Sequence, residues 1–163
     1  MEFLTWLEQT EFSTWMRESD WGHPIGLCFH AVGMGLVVGI SFMFCARVLG
    51  YAKSFPLGAF DQLFGLGWFG FAMNAASGIV LLIADPRRMP FTPAFLIKMV
   101  MIVFAGLSLW ALSRALEGTE RTRTKDVKVP RGAKVAAITS IVFWCGAIVA
   151  GRLIGYTIGP PPA

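Results

Sequence analysis

Four apolar stretches of about 20 residues each dominate the pattern of hydrophobic and polar positions along the chain. They cover residues 25–46, 63–84, 94–113 and 135–158. About 20 apolar residues are what a helix needs to cross a hydrocarbon core of ~30 Å. The alternating pattern of a membrane β-barrel is absent, which leaves helices as the spanning structure. The sequence therefore predicts an all-α protein, in which residues 21–163 form a single bundle of four transmembrane helices.

The first twenty residues show a different pattern, in which apolar positions recur at helical spacing with acidic residues between them. This pattern predicts one amphipathic helix over residues 1–20 that lies on the membrane surface. Trp6 and Trp15 are the expected anchors, because tryptophan favours the boundary between lipid and water. A frayed terminus is the alternative.

Composition and charge support membrane insertion and indicate an orientation. The chain has 163 residues, of which 55% are hydrophobic, and a mean hydropathy of +0.62. Half of its fourteen basic residues lie between the third and fourth stretches, at Arg114, Arg121, Arg123, Lys125, Lys128, Arg131 and Lys134. Cytoplasmic loops are enriched in such residues, so we expect both termini outside, which is the periplasmic side of a bacterial inner membrane. A basic loop beside anionic lipid explains the net charge of +4 without a nucleic-acid partner.

Polar residues at similar depth in the apolar stretches indicate a site. At a rise of 1.5 Å per residue, His30 and Arg152 lie ~9 Å from the outer end, Lys98 lies ~7.5 Å and Asn74 lies ~15 Å from that end. A charge inside hydrocarbon costs roughly 2.5 kcal/mol or more unless it is paired or faces a polar cavity. We therefore expect these four residues to belong to a cofactor site near the outer face.

His30 is the candidate metal ligand. Small residues, among them Gly26 and Gly33, share its helical face, and glycines also surround Asn74. Either another helix packs closely there, or a flat group such as a tetrapyrrole or a quinone fills the space. A neutral imidazole in an apolar pocket commonly holds haem iron, which predicts His30 as an axial ligand of haem b. The alternative is a histidine bonded to a backbone carbonyl or to Asn74. His23 lies about 10 Å higher and cannot share the iron.

The basic residues of the stretches allow several interpretations. Lys98 and Arg152 could pair with haem propionates or a quinone headgroup, or form ion pairs with Asp85 or with glutamates of the surface helix. They could also extend along the helices to the lipid headgroups. Arg47, at the inner end of the first stretch, is expected to anchor that end of the helix. No C-x-x-C motif occurs, and the three cysteines are expected to act as small apolar residues.

A resemblance covers roughly residues 20–112, carried by residues 30–39, 47–50, 74–82 and 90–98. These segments look like an uncharacterised family of small bacterial four-helix membrane proteins, which is distantly similar to CopD-type and HemJ-type haem membrane proteins. The resemblance implies that a histidine and a lysine of a haem-associated centre fall on His30 and Lys98. Members of the closer family often carry a further histidine late in the third helix, whereas residues 107–112 of this chain have none.

Two functions from different classes remain open on the sequence. The first is an integral membrane haem b-binding protein, an electron-transfer or quinone-linked redox subunit of a larger membrane assembly. The second is an accessory subunit without a cofactor, whose polar layer docks neighbouring helices. Both imply the lipid bilayer and either other membrane subunits or further copies of the chain as partners. Neither function implies a stand-alone enzyme. A small transporter is disfavoured, because no inverted repeat occurs.

Overall fold

The computed structural model describes residues 2–51, 55–116 and 129–157, and within these ranges every regular element is a helix. A short 3₁₀ turn, Met89–Phe91, precedes the fifth α-helix. The α-helices are α1 Glu2–Glu8, α2 Glu11–Glu18, α3 Gly22–Leu49, α4 Ala59–Ala84, α5 Pro93–Ala115 and α6 Arg131–Thr157. The predicted all-α fold is confirmed. Each predicted stretch lies within one of α3 to α6, except that residue 158 lies outside the described residues.

Two helix ends have clear local causes. Gly50 follows α3 with φ 98°, a left-handed conformation that glycine adopts without the steric penalty of a side chain. At the start of α5, the Thr92 hydroxyl accepts a hydrogen bond from the Phe95 main-chain nitrogen, and Pro93 occupies the first helical position. These residues fix where the chain leaves and enters the apolar layer.

The long helices form a four-helix bundle made of two hairpins. In one hairpin α3 packs against α4, in the other α5 packs against α6, and the hairpins meet where α3 contacts α6. No extended interface joins α4 to α5. We call the end of the bundle at which α3 begins the His30 end, and the opposite end the Arg47 end.

The core is most complete at the Arg47 end. A buried cluster there includes side chains of all four long helices: Phe44, Cys45, Val48, Leu57, Phe60, Leu112, Leu116, Ala133 and Ala137. A second cluster draws on α3, α5 and α6, and a third on α2 and α4. The cluster at the Arg47 end thus joins all four long helices, whereas each of the other two clusters includes only some of the helices.

The surface of the long helices suits lipid. All four have the length and composition to cross a membrane. Large apolar side chains point outward, for example Trp68 with 71% and Val142 with 61% of its area exposed. Exposed apolar area on this scale is unfavourable in water and favourable in hydrocarbon. The chain is therefore a multi-pass membrane protein.

The amphipathic segment consists of two helices, so the prediction of one continuous helix over residues 1–20 is wrong. The chain turns at Gln9 and Thr10, and the Thr10 hydroxyl accepts a hydrogen bond from the Ser13 nitrogen at 3.3 Å. Threonine at this position satisfies one of the free N–H groups that begin a helix, which starts α2 as a separate element.

These two helices dock on the His30 end. The buried Ser13 hydroxyl donates to the Ile83 carbonyl at 2.8 Å, and Met16, with 2% of its area exposed, packs between Gly26 and Leu81. Glu8 forms ion pairs with Arg17 and with Arg87, which lies in the connection between α4 and α5. Aromatic side chains on the outer side of the segment remain exposed: Phe3, Trp6, Phe12, Trp15 and Trp21.

Arg47, which the sequence predicts as an anchor of the inner end of the first stretch, is buried in the protein. Only 3% of its area is exposed, and its Nε donates to the Phe55 carbonyl. The residue thus fastens the connection between α3 and α4. Four of the basic residues used for the orientation lie outside the described residues, namely Arg121, Arg123, Lys125 and Lys128, as does the tail from residue 158 to residue 163.

Candidate functional site

His30 is held between α3 and α4 by a hydrogen bond to main chain. Its Nδ1 lies 3.0 Å from the Asn74 carbonyl oxygen and 3.2 Å from the Ser77 hydroxyl. A carbonyl oxygen only accepts hydrogen bonds, so Nδ1 carries the proton. In the neutral imidazole, Nε2 then holds the free lone pair. The site thus orients His30 with a defined tautomer.

Asn74 completes a reciprocal contact between the same two helices. Its side-chain Nδ2 donates to the His30 carbonyl oxygen at 2.8 Å, while its main-chain oxygen accepts from the His30 ring. Ser77 donates to the Met73 carbonyl at 2.7 Å and lies 3.0 Å from the Asn74 carbonyl. Because His30, Asn74 and Ser77 each form a hydrogen bond within an apolar layer, the relative position of α3 and α4 is well specified.

Glycines make this close approach of helices possible. A Cβ atom on Gly33 would lie 2.6 Å from the Asn74 nitrogen and 2.8 Å from the Gly70 carbonyl oxygen, both of them main-chain atoms. A Cβ on Gly78 would lie 3.3 Å from the His30 ring. Of the two uses that the sequence left open for the glycine-lined faces, close packing accounts for Gly33 and Gly78.

Lys98 reaches the same site from α5. Its Nζ lies 3.2 Å from His30 Nε2, and since Nε2 holds the lone pair, the amino group is the donor. The end of the lysine side chain passes Gly151 of α6, where a Cβ would lie 3.5 Å from Cδ, Cε and Nζ. Helices α3, α4, α5 and α6 all contribute to this cluster, which we call the His30 cluster: His30, Asn74, Ser77, Gly78, Lys98 and Gly151.

Lys98 has unusual electrostatic surroundings for a lysine inside an apolar layer. Within residues 2–51, 55–116 and 129–157, no carboxylate lies within ion-pair distance of Lys98, whereas Glu8 pairs with arginines. Lys98 is half-buried, and its partner is a neutral nitrogen base. A lysine in such surroundings lacks the charge compensation that a carboxylate would give.

Arg152 lies outside the His30 cluster. Its side chain is exposed, and its guanidinium carbon lies 5.8 Å from the centre of the Tyr156 ring, one turn nearer the end of α6. Neighbouring Gly151 is the residue of α6 that faces Lys98. The structure thus brings His30, Asn74 and Lys98 together, and it separates Arg152 from them although the predicted depth of Arg152 equals that of His30.

Three residues of the cluster were not singled out as site residues from the sequence. These residues are Ser77, Gly78 and Gly151, which are small residues within the apolar stretches. Ser77 lies three residues after Asn74, so helical spacing alone places it on a similar face. Nothing in the sequence indicates that Gly151 faces Lys98, because that contact depends on how α5 and α6 are rotated against each other.

The protein side chains at the site offer few metal ligands. In the part of the chain that the structure describes, no group of three or more His, Cys, Asp or Glu residues is placed to hold a metal ion. His23 is exposed in the first turn of α3 and does not join His30. What the cluster does supply is one imidazole lone pair with a fixed direction and one cationic side chain beside it.

Comparison of the chain with protein-family models, with curated proteins and with solved structures returns no match. The fold and the cluster therefore define only the class of the protein. It is a multi-pass membrane protein with a four-helix bundle and a histidine–lysine pair between its helices.

Proposed function

We propose that the chain is an integral membrane protein that binds haem b, with His30 Nε2 as an axial ligand of the iron. The observation that carries the proposal is the hydrogen bond from His30 Nδ1 to the Asn74 carbonyl. Metal-ligating histidines commonly donate their second nitrogen to such an acceptor, which fixes the ring and raises the basicity of the ligating nitrogen. The resemblance noted from the sequence, which implies a histidine and a lysine at a haem-associated centre, points to the same two residues.

The donor set suits haem better than a simple metal ion. A metal ion held by side chains alone needs three or four of them, and the described residues supply no such group. Haem brings four nitrogen ligands of its own, so one well-oriented imidazole is sufficient. When bound, haem b supplies a one-electron iron couple. His30 would ligate it, Asn74 and Ser77 would orient His30, and Lys98 would have to leave Nε2.

The role that follows is electron transfer or quinone-linked redox chemistry within a larger membrane assembly. A second ligand to the iron would have to come from a further subunit, from a second copy of the chain or from one of Met34, Met73 and Met101. His23 is exposed in the first turn of α3 and does not join His30, so the chain supplies no second histidine ligand. A place in an assembly would allow another subunit to supply that ligand.

Optical spectra test the proposal. The full chain, purified in mild detergent, is expected to show a Soret band that shifts on reduction. His30→Ala should abolish the band, and His23→Ala should leave it unchanged. Absence of haem from the wild-type protein isolated in its native assembly, or a band that persists in His30→Ala, would refute the proposal.

One observation favours the cofactor-free accessory subunit as the second candidate. The His30 cluster is complete without a ligand, because Lys98 already donates to Nε2. The buried polar atoms without a partner in the described ranges lie elsewhere, at Arg47 Nη2, Ser140 Oγ and Trp144 Nε1. If the spectra show no haem, the cluster is a structural tie between the two hairpins.

We further propose that the protein lies in a bacterial inner membrane with both termini in the periplasm. Arg114, Arg131 and Lys134 support this orientation, since all three lie at the Arg47 end of the bundle. The exposed aromatic side chains of α1 and α2 would then lie at the periplasmic membrane surface. In a background without the native cysteines, a membrane-impermeant thiol reagent added from the periplasm should label Pro160→Cys and spare Thr122→Cys. The opposite labelling pattern would reverse the orientation.

A further inference from the structure

Lys98 has a partner that it must lose when His30 takes a ligand. Its Nζ lies 3.2 Å from His30 Nε2, and Nε2 has a single lone pair. That lone pair cannot accept from Lys98 and bind iron at the same time. A ligand at His30 therefore displaces the Lys98 amino group and leaves it without its acceptor.

The described part of the chain offers no obvious replacement acceptor of opposite charge. Among the described residues, no carboxylate lies within ion-pair distance of Lys98, and Glu8 pairs with arginines at the surface. A displaced cation in an apolar layer is costly unless it finds an anion or reaches water. Gly151, which the end of Lys98 passes, has no side chain that could hold the amino group at His30.

We propose that Lys98 exchanges its hydrogen-bond partner, from His30 Nε2 to a carboxylate carried by the incoming ligand, and thereby selects a lipophilic ligand that bears a carboxylate. This inference rests on the proposed function, in which the ligand is haem b and the carboxylate is one of its two propionates. Arg152, the other cation predicted at this depth, does not take part, because its guanidinium lies over Tyr156 outside the cluster.

The test compares haem b with its dimethyl ester, which has the same iron and ring but no carboxylate. Both are titrated into the full-length, haem-depleted protein in mild detergent, and the dissociation constants are measured from the Soret absorbance. A charge-assisted hydrogen bond that only the acid can form should make wild-type binding of the acid about tenfold to a hundredfold tighter. The ratio of the two constants is the diagnostic quantity, because the loss of the competing Lys98–His30 bond affects both ligands equally.

Variants at the two basic residues provide the controls. Lys98→Met should bring the ratio close to one and strengthen binding of the ester, since nothing then competes for Nε2. Lys98→Arg should keep a preference for the acid, and Arg152→Gln should behave as wild type. If Lys98→Met does not fold, the ratio of the two dissociation constants in wild type and in Lys98→Arg still tests the preference for a carboxylate.

The outcomes separate this inference from the function on which it rests. If neither compound gives a band that requires His30, the proposed function fails and the inference fails with it. If both compounds bind through His30 with equal affinity in wild type, or if Lys98→Met keeps the preference, only the inference is overturned. A preference that disappears in Arg152→Gln would assign the carboxylate to Arg152 instead.

Discussion

Lys98 Nζ and His30 Nε2 lie 3.2 Å apart although 68 residues separate them in the chain. Lys98 belongs to the α5–α6 hairpin and His30 to the α3–α4 hairpin, so the contact joins the two halves of the bundle. It does so at the His30 end, away from the core cluster that draws on all four long helices. The same contact also occupies the nitrogen that a ligand would need.

The close approach of α3 and α4 at Gly33 predicts a strong effect of one methyl group. Gly33→Ala would place Cβ 2.6 Å from the Asn74 nitrogen, a main-chain atom that moves only if the helices separate. We expect a loss of about 1–3 kcal/mol in stability, as for overpacked cores. Thermal unfolding in detergent measures this loss.

Gly35→Ala is the matched control, because a Cβ there meets no atom within 4 Å and the residue lies on the same helix. It should unfold at the wild-type temperature or slightly above, since alanine favours helix more than glycine does. Equal destabilisation by both substitutions would show that α3 and α4 do not pack as described.

Asn74 is predicted to contribute to stability more than to ligand binding. Asn74→Leu removes the donor to the His30 carbonyl, and such bonds in membranes contribute about 0.6 kcal/mol on average and about 1.7 at most. The acceptor for His30 Nδ1 is the main-chain oxygen of residue 74, which the substitution retains. The Soret band should therefore survive in Asn74→Leu with a modestly lower unfolding temperature. A loss as complete as in His30→Ala would mean that the side chain itself contacts the ligand.

The docking of α2 depends on one buried methionine. Met16 packs against Gly26 and Leu81 with 2% of its area exposed. Truncating a buried methionine to alanine costs about 2–5 kcal/mol in a well-packed core. We expect Met16→Ala to release α2 from the bundle, which limited trypsin digestion detects as faster cleavage after the exposed Arg17. Phe12→Ala, on the exposed side of the same helix, should be cleaved at the wild-type rate. Similar rates for both variants would contradict the docking.

Depth along a helix could be predicted from the sequence, whereas rotation about the helix axis could not. Counting residues from the ends of the apolar stretches placed His30, Lys98 and Arg152 at one level, and the structure brings the first two together. Arg152 faces outward. Its direction follows from the way α5 packs on α6, and the uniformly apolar sequences of these helices give little indication of that packing. Arg47 shows the same limit, since its burial depends on the turn that follows α3.

The break in the amphipathic segment was predictable from local chemistry. Thr10 directly before Glu11 is a common helix start, with a hydroxyl that caps and an acidic residue in the first turn. The apolar periodicity continues on both sides of this position, and that continuity concealed the break.

Chemical rescue of His30 tests the central claim most directly. His30→Gly should lose the Soret band in the purified full-length protein, and added imidazole should restore it by occupying the vacated space as a free ligand. Asn74 would still offer its carbonyl oxygen to the NH group of the added imidazole. The account predicts restoration with imidazole in His30→Gly and, in His23→Gly, a band that is present without imidazole. A Soret band in His30→Gly without imidazole would contradict the assignment of His30 as the haem ligand.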